Sequence, residues 1–399
     1  MNKIVQKFGG TSLDDKAKRK KVAQIIKNSK EKGRQILVVV SAMGRRGKPY
    51  ATDTLLQQIE DPSYLDKREK DLLMSCGEII SSVVMVQQLK MLGLKAKALT
   101  GGQAGIITDD NFGEARVQQV NKKVINKLFK KDIIPVVAGF QGITVKGEIT
   151  TLGRGGSDTT ASILGAALDA DFIEIYTDVA GVMTADPKSV KQARLLKKIN
   201  YKEICELAYQ GARVIHPRAV EIAMQDNLPI KIKSITDQQT GTMIHNCKSD
   251  YDKLITGVAS IKNIIFISIQ AVDAALNDQE LNIFSTLQKE DISADFINIR
   301  RDAISFIINK EYEEKILKIL SEKNLNYNLR KDLVKVSAVG GGMTGQPGVM
   351  ARIIKYLYQA EIPIFQATDS HITISCLLNK RHEKKALNVL HEKFSLDST

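Results

Sequence analysis

Tryptophan is absent from the 399-residue chain, aromatic residues make up only 5% of it, and there are four cysteines. Cys76, Cys205, Cys247 and Cys376 stand far apart and form no C-x-x-C pair. That argues against a thiolate metal centre, which reads as paired C-x-x-C, and against a disulfide scaffold, which belongs to short, cysteine-dense chains. The five histidines form no metal-spaced cluster and supply no nucleophile with an obvious base. With 27 glycines and 8 prolines the chain is not of low complexity. Near the start the longest unbroken apolar run is residues 36–40, too short for a bilayer. No charged-then-apolar leader is visible, since strand-like sequence begins at Ile4. The expectation is a soluble cytoplasmic protein that does not engage a membrane.

What is present is charge and apolar material: 43% hydrophobic residues, 26% charged residues and a net charge of +13. The apolar fraction is too high for disorder, and the length predicts two or three domains. An excess of lysine can mark nucleic-acid binding. Here the lysines are spread along the chain, and only residues 16–21 (KAKRKK) are dense. With so few aromatics to stack bases, a solvated helix face accounts for that run more simply.

Up to about residue 245, short apolar runs alternate with longer amphipathic stretches. Residues 36–40, 133–138, 172–176 and 229–232, rich in Val and Ile, read as buried strands. Residues 72–92 and 115–130 carry helical periodicity with lysines outward. This alternation predicts an α/β layered domain with a mainly parallel sheet. The polar stretch 236–252 reads as a linker. Beyond it lies an internal repeat: residues 304–310 (ISFIINK) fall on 374–380 (ISCLLNK), and the same ungapped shift places Leu317 on Leu387, Leu320 on Leu390 and Ile283 on Ile353. Each copy runs strand, helix, strand, strand, helix, the order of a ferredoxin-like unit suited to pairing with another copy. The second copy carries a glycine-rich loop, residues 340–348, able to bring backbone N–H groups to a carboxylate. The first copy has no glycine or proline at the equivalent residues 271–278.

Three segments of the first domain carry the chemistry. Lys7, Phe8, Gly9 and Gly10 follow the strand at Ile4-Val5, where paired glycines let amides close on phosphate oxygens beside a fixed positive charge. No Walker A pattern occurs, and a glycine pair after a strand also serves as a plain tight turn. Residues 153–158 (GRGGSD) embed Arg154 among glycines, and arginine grips a carboxylate or phosphate with a two-pronged bond. Ser157 or Asp158 could instead simply cap the following helix. Residues 176–188 leave a strand with Asp178, Asp186 and Lys188, on the kind of loop where α/β folds bind ligands. Glu78 lies in an apolar helical stretch, either facing solvent or holding a cation such as an ammonium. His216, before Pro217, reads as a satisfied structural histidine rather than a general base.

Together, KFGGTS (7–12), VVSAMG (39–44), SCGE (75–78), AGFQG (138–142), TTLGRGGSDTTA (150–161), YTDVAGVMTADPK (176–188) and GARVIHPRAVEIA (211–223) resemble the aspartokinase family. ATDTLL (51–56) and GVMTADP look most like its diaminopimelate-sensitive branch. The resemblance implies an amino-acid kinase (carbamate-kinase-like) three-layer αβα domain over residues 1–245. Two ferredoxin-like ACT domains would follow over 255–331 and 332–399. It further implies phosphoryl transfer from ATP with Mg2+ to L-aspartate, the first step toward lysine, threonine and methionine, inhibited by lysine, threonine or diaminopimelate, in a homodimer or higher homo-oligomer without nucleic acid. A carboxylate substrate is already ionised at neutral pH, so no general base is required.

By the same resemblance, Lys7 and Asp158 are catalytic. Ser41, Thr52, Glu78, Arg154, Gly155, Gly156 and Ser157 bind aspartate. Lys7, Phe8, Gly9, Gly10, Thr177, Asp178, Met183, Asp186 and Lys188 bind ATP. Met343, Gly345, Gln346, Pro347, Gly348, Val349, Asp369 and Ser370 bind the effector. Met183 stands where many relatives carry an aromatic residue. The alternatives are a kinase of the same fold acting on another amino acid such as glutamate, or a catalytically silent amino-acid sensor.

Overall fold

The computed structural model describes residues 2–212, 214–237, 241–247, 253–271 and 278–398. They form two compact units, one of residues 2–183, 195–209 and 214–247, the other of 184–194, 210–212, 253–271 and 278–398.

The first unit is organised by an eight-stranded sheet. Lys3–Phe8 lies inside it, paired in parallel with Gln35–Val40 on one side and Phe172–Thr177 on the other. Ile134–Ala138 and Ala96–Leu99 extend the sheet in parallel beyond Gln35–Val40, and Ile230–Ser234 does so beyond Phe172–Thr177. Thr242–His245 and Lys198–Asn200 close that edge running the opposite way. These strands are near-continuous Val/Ile runs because both faces are covered. On one face Ile4, Phe8, Ile36, Val38, Val40, Ile134 and Val136 meet Val22, Ile25 and Ile26 of the helix Lys16–Glu31, and Met85 and Leu89 of the helix Lys67–Met91. The spacing of Val22, Ile25 and Ile26 is that of a helix burying one stripe, while the lysines at 16, 20 and 21 stay exposed. On the other side the helix Gly156–Ala167 packs on Lys3–Phe8, Phe172–Thr177 and Gln35–Val40, and Pro217–Gln225 packs on that helix. The result is three layers with the strand ends at Phe8, Val40, Ala138 and Thr177 on one edge.

The helix Lys67–Met91 is long and apolar enough to cross a membrane by length and composition, yet half of its apolar window is buried inside the protein. It packs on strands of the first unit and contains the buried acids Asp71 and Glu78.

Two expectations change in this unit. Residues 115–130 are not one helix: Val117–Val120 is a strand paired with Ile106–Thr108, and the helix is confined to Lys123–Lys130. Val117–Val120, with both glutamines exposed, is the edge strand of a second, four-stranded sheet, which continues through Ile106–Thr108 and Gln141–Thr144 to Ile149–Thr151. Within 236–252, the strand Thr242–His245 pairs antiparallel with Ile230–Ser234, burying Thr242 and Ile244; the remaining residues 238–240 and 248–252 lie outside the described ones.

In the second unit the repeat forms two four-stranded sheets. The first copy orders its strands Asp295–Ile299, Ala303–Asn309, Ile264–Gln270, Asn326–Arg330, the ferredoxin-like arrangement in which the fourth strand lies beside the first. In the second copy the order is Gly257–Ile261, Leu333–Val339, Thr373–Asn379, Ile364–Asp369. Gly257–Ile261, which precedes both copies in sequence, pairs antiparallel with Leu333–Val339 and takes the place of the second copy's missing fourth strand. The helices Ile283–Lys289 and Glu313–Glu322 bury Ile283, Leu287, Ile316 and Leu320 against Ile265, Ile267, Ile304 and Phe306. Val349–Gln359 and Glu383–Lys393 repeat this with Ile353, Leu357, Leu387 and Leu390. Most of residues 271–278, the glycine-free connection of the first copy, lies outside the described residues.

Candidate active site

The carboxyl ends of the parallel strands surround a cavity of about 530 Å³, where open α/β sheets place their ligand sites. Lys7, Gly10, Ser41, Thr52, Glu78, Arg154, Gly155, Gly156, Ser157 and Asp158 all line it. The structure therefore brings together, in the first unit, every residue for which the resemblance implies a role in aspartate binding, and both for which it implies a catalytic one. The turn after Lys3–Phe8 runs under residues 42–44: Gly44 N–H donates to the Gly10 carbonyl at 3.0 Å, and Gly9 N–H to the Tyr176 carbonyl at 3.1 Å. A Cβ on Gly10 would fall 2.5 Å from the Ala42 carbonyl oxygen and 2.7 Å from that of Gly44, so only glycine lets these segments pass. Phe8 is wholly buried and stacked on Tyr176 with ring centroids 4.7 Å apart, so its side chain belongs to the core.

Lys7 points from its strand into the cavity, with Nζ 2.6 Å from Asp158 Oδ1 and both side chains largely covered. Asp158 is in the first turn of Gly156–Ala167, whose N-cap is Gly155 at φ 68° with no side-chain cap. The capping roles left open for Ser157 and Asp158 are thus not taken; Asp158 serves Lys7 instead. Glu78 does not face solvent. It is buried, with Oε1 accepting from Ala42 N–H at 3.0 Å, and Oε2 has no hydrogen-bond partner among the described residues. Burial pushes its carboxyl up to about 8, against the opposing pull of the Ala42 N–H, its own backbone N–H and the Lys7 charge. An orphaned carboxylate oxygen in a polar cavity is a place for a cation that the protein itself does not supply. Arg154 sits exposed at the tip of a turn closed by Gly156 N–H donating to the Gly153 carbonyl at 3.0 Å.

Several residues around the cavity have partners that the sequence did not disclose. Asp71, fully buried one helical stretch before Glu78, accepts from Gly113 N–H at 2.9 Å, Thr151 N–H at 2.7 Å and the Thr151 hydroxyl at 2.7 Å. It fixes the approach to residues 153–158. Phe140 lines the cavity at φ 70°, its N–H donating to the Thr160 hydroxyl and its carbonyl accepting from Leu152 N–H. Positive φ at a bulky residue is strained and held only by its surroundings; the AGFQG stretch contained it without revealing a role. Arg45, also at the cavity, pairs with Asp178 at 2.8 Å, and Asp178 accepts from the Thr177 hydroxyl at 3.1 Å. His216 is not a satisfied histidine: its Nδ1 is buried without a hydrogen-bond partner among the described residues, and burial holds its pKa below the usual imidazole value.

The residues assigned to the nucleotide divide. Lys7, Gly9, Gly10, Thr177, Asp178 and Met183 belong to the first unit, Met183 bridging antiparallel to Leu195. Asp186 and Lys188 fall in the second unit, where the Asp186 carboxylate accepts from Lys188 N–H at 2.9 Å in a local turn. Also in the second unit, residues 340–344 and 369–372 adjoin: Gly340 N–H donates to the Ile372 carbonyl and the Thr344 hydroxyl to the His371 carbonyl, both at 2.9 Å. Met343 and Val349 are buried there, Gln346 and Pro347 are exposed, and Gly348 caps Val349–Gln359. Asp369 ends its strand and Ser370 N–H donates to the Thr373 carbonyl at 2.7 Å.

A parallel sheet between two helical layers, with a lysine and glycine turn and a charged cavity at its carboxyl edge, defines the amino-acid kinase class. The amino acid kinase family matches residues 2–234, and an ACT domain matches residues 328–392. Over 403 residues the chain is 46% identical to Aspartokinase 1 of Bacillus subtilis (strain 168), covering 99% of this chain and 100% of that one. The aspartate kinase of Clostridium acetobutylicum superposes with a TM-score of 0.79 at 26% identity, covering 98% and 100%. Aspartokinase III of E. coli, solved with aspartate and ADP, shares the fold at a TM-score of 0.79, 22% identity and coverage of 98% and 99%. The chain belongs to the aspartokinase family, and it is an enzyme of the aspartate kinase type.

Proposed function

We propose that the chain transfers the γ-phosphoryl group of ATP to the β-carboxylate of L-aspartate, giving 4-phospho-L-aspartate. This would be the entry to lysine, diaminopimelate, threonine and methionine synthesis in the cytoplasm. The observation that carries it is the cavity in which the Lys7–Asp158 pair stands beside the buried, half-satisfied Glu78 and the turn bearing Arg154. The nucleophile is an ionised carboxylate, so the enzyme's task is alignment and relief of anion repulsion rather than proton removal.

In this reading Lys7, with the amides of Gly9 and Gly10, meets the transferring phosphates, and Asp158 at 2.6 Å fixes its ammonium. Glu78 takes the substrate ammonium, and Arg154 its α-carboxylate in a two-pronged bond. Ser41, Thr52, Gly155, Gly156 and Ser157 frame the amino acid. Thr177, Asp178 and Met183 serve the nucleotide, the role that the resemblance gives to Asp186 and Lys188 as well. Mg2+ takes one or two carboxylates plus substrate phosphates, and the exposed Asp178 at the end of Phe172–Thr177 suits an ion carried by the nucleotide. When bound it neutralises phosphate charge.

We assign the kinase domain to residues 1–245 and ACT domains to 255–331 and 332–399, with Gly257–Ile261 serving the second. An amino-acid effector (lysine, threonine or diaminopimelate) is assigned to Met343, Gly345, Gln346, Pro347, Gly348, Val349, Asp369 and Ser370. The ferredoxin-like sheets suit a homodimer or higher homo-oligomer. The test is acyl phosphate formation from Mg-ATP, trapped with hydroxylamine, with aspartate or glutamate as acceptor and each effector added in turn. Aspartyl hydroxamate suppressed by one effector supports the reading; hydroxamate from glutamate alone overturns its substrate.

A further inference from the structure

The segment His216-Pro217-Arg218 plays no part in the roles above, yet it touches the Arg154 turn from both sides. Arg218 Nη1 donates to the Leu152 carbonyl at 2.9 Å and its Nη2 to the Ala115 carbonyl at 3.1 Å. Those two residues are tied to the same framework: Ala115 N–H donates to the Thr151 carbonyl and Leu152 N–H to the Phe140 carbonyl. The guanidinium therefore fixes the chain two residues before Arg154. On the far side, a Cβ on Gly155 would fall 2.2 Å from His216 Cβ and 2.3 Å from its Cγ. The imidazole thus lies directly on the glycine that follows Arg154, at φ 68°. Pro217 is the first residue of the helix Pro217–Gln225 and His216 its N-cap, and that helix packs on Gly156–Ala167. The clamp is thereby anchored to the helix that carries Asp158.

We propose that His216 and Arg218 are positioning residues that hold the 153–156 turn so that Arg154 is presented, pre-oriented, to the α-carboxylate of the amino-acid substrate. This rests on the assignment of Arg154 to that carboxylate. The two residues touch the turn and not the substrate, so their effect passes through Arg154. Pre-orientation matters because a two-pronged bond needs the guanidinium plane fixed to within a fraction of an ångström.

The test is steady-state kinetics of Arg154→Ala, Arg218→Ala, Arg218→Lys, His216→Ala and the double variant Arg154→Ala/Arg218→Ala, with KM for aspartate and for Mg-ATP measured separately. Arg218→Ala and His216→Ala are expected to raise the aspartate KM about tenfold while the Mg-ATP KM changes less than about twofold. Arg218→Lys, which keeps the charge without the fork, falls between. Added guanidinium restores part of the loss in Arg218→Ala. In the Arg154→Ala background the Arg218 change adds nothing further to the aspartate KM, the non-additivity of two groups acting through one contact. A purely structural role would lower the active fraction, and so kcat, leaving both KM values in place. If Arg154→Ala itself leaves the aspartate KM unchanged, the assignment of Arg154 is wrong. If Arg154→Ala raises it but Arg218→Ala and His216→Ala do not, or if the double variant is additive, the clamp is refuted while that assignment stands. Should Arg218→Ala fail to fold, Arg218→Lys and His216→Ala decide the same question.

Discussion

Replacing Glu78 by glutamine tests the cavity's electrostatics, because the structure makes Glu78 a proton-linked group. Burial pushes its carboxyl from 4.5 to about 8, and at about 1.4 kcal/mol per pKa unit the ionised form is disfavoured in the empty cavity by at most about 5 kcal/mol. A substrate ammonium at Oε2 favours the carboxylate, so aspartate binding near neutral pH should expel a proton from Glu78. The aspartate KM should then fall as pH rises from about 6 toward about 8, by up to about tenfold per unit, and flatten above it. In Glu78→Gln the KM is raised and this dependence is gone. Calorimetry of aspartate binding in two buffers of different ionisation enthalpy counts the proton directly. The same shift has a stability consequence of fixed sign. The unfolded carboxyl ionises near 4.5 and the folded one near 8, so this group's contribution is fully present at low pH and is lost as pH rises between those values. Glu78→Gln should remove that part of the slope. An aspartate KM independent of pH, with no proton released, would refute the reasoning.

Two further outcomes are expected. Asp71→Ala leaves Gly113 N–H, Thr151 N–H and the Thr151 hydroxyl without their acceptor at a fully buried residue; it should cost about 3 kcal/mol of stability in denaturant unfolding, and a change under about 0.5 kcal/mol would contradict the role given to that network. Asp369→Ala and Ser370→Ala should raise the half-inhibiting concentration of the effector about tenfold while shifting uninhibited turnover less than about twofold; unchanged inhibition in both places the effector elsewhere.

The parts of the site that were legible in the sequence are those where the backbone must do something unusual. Gly10 has to pass Ala42 and Gly44 within carbonyl contact, and Gly155 has to adopt a left-handed conformation before a helix, so both are written as glycines in short glycine runs that also hold a charge, Lys7 or Arg154. The parallel strands were legible because burial on both faces demands unbroken Val and Ile. Asp71 was not, because in KREKDLL it reads as one more charge on a solvated first turn, and only the fold carries Thr151 to it across 80 residues. The partners of His216 and Arg218 were hidden for the same reason: Gly155, Leu152 and Ala115 lie far back in the chain. The repeat disclosed two similar units but not that Gly257–Ile261 would complete the second one's sheet, since strand pairing across that separation leaves no local periodicity. Glu78 was visible as an anomaly with two explanations that sequence could not separate; its burial removes the solvent-facing one.

The most direct test of the central claim compares the wild-type chain with Lys7→Ala for hydroxylamine-trapped phosphoryl transfer from Mg-ATP to aspartate. Lys7 is the one cation facing the cavity from the central strand, held by Asp158 at 2.6 Å, and its loss should lower turnover by about a thousandfold or more. The unfolding midpoint should stay close to that of the wild type, so that the loss belongs to chemistry. Aspartyl hydroxamate formed by the wild type and all but absent in a folded Lys7→Ala is the predicted result; equal hydroxamate from both would contradict the placement of phosphoryl transfer in this cavity.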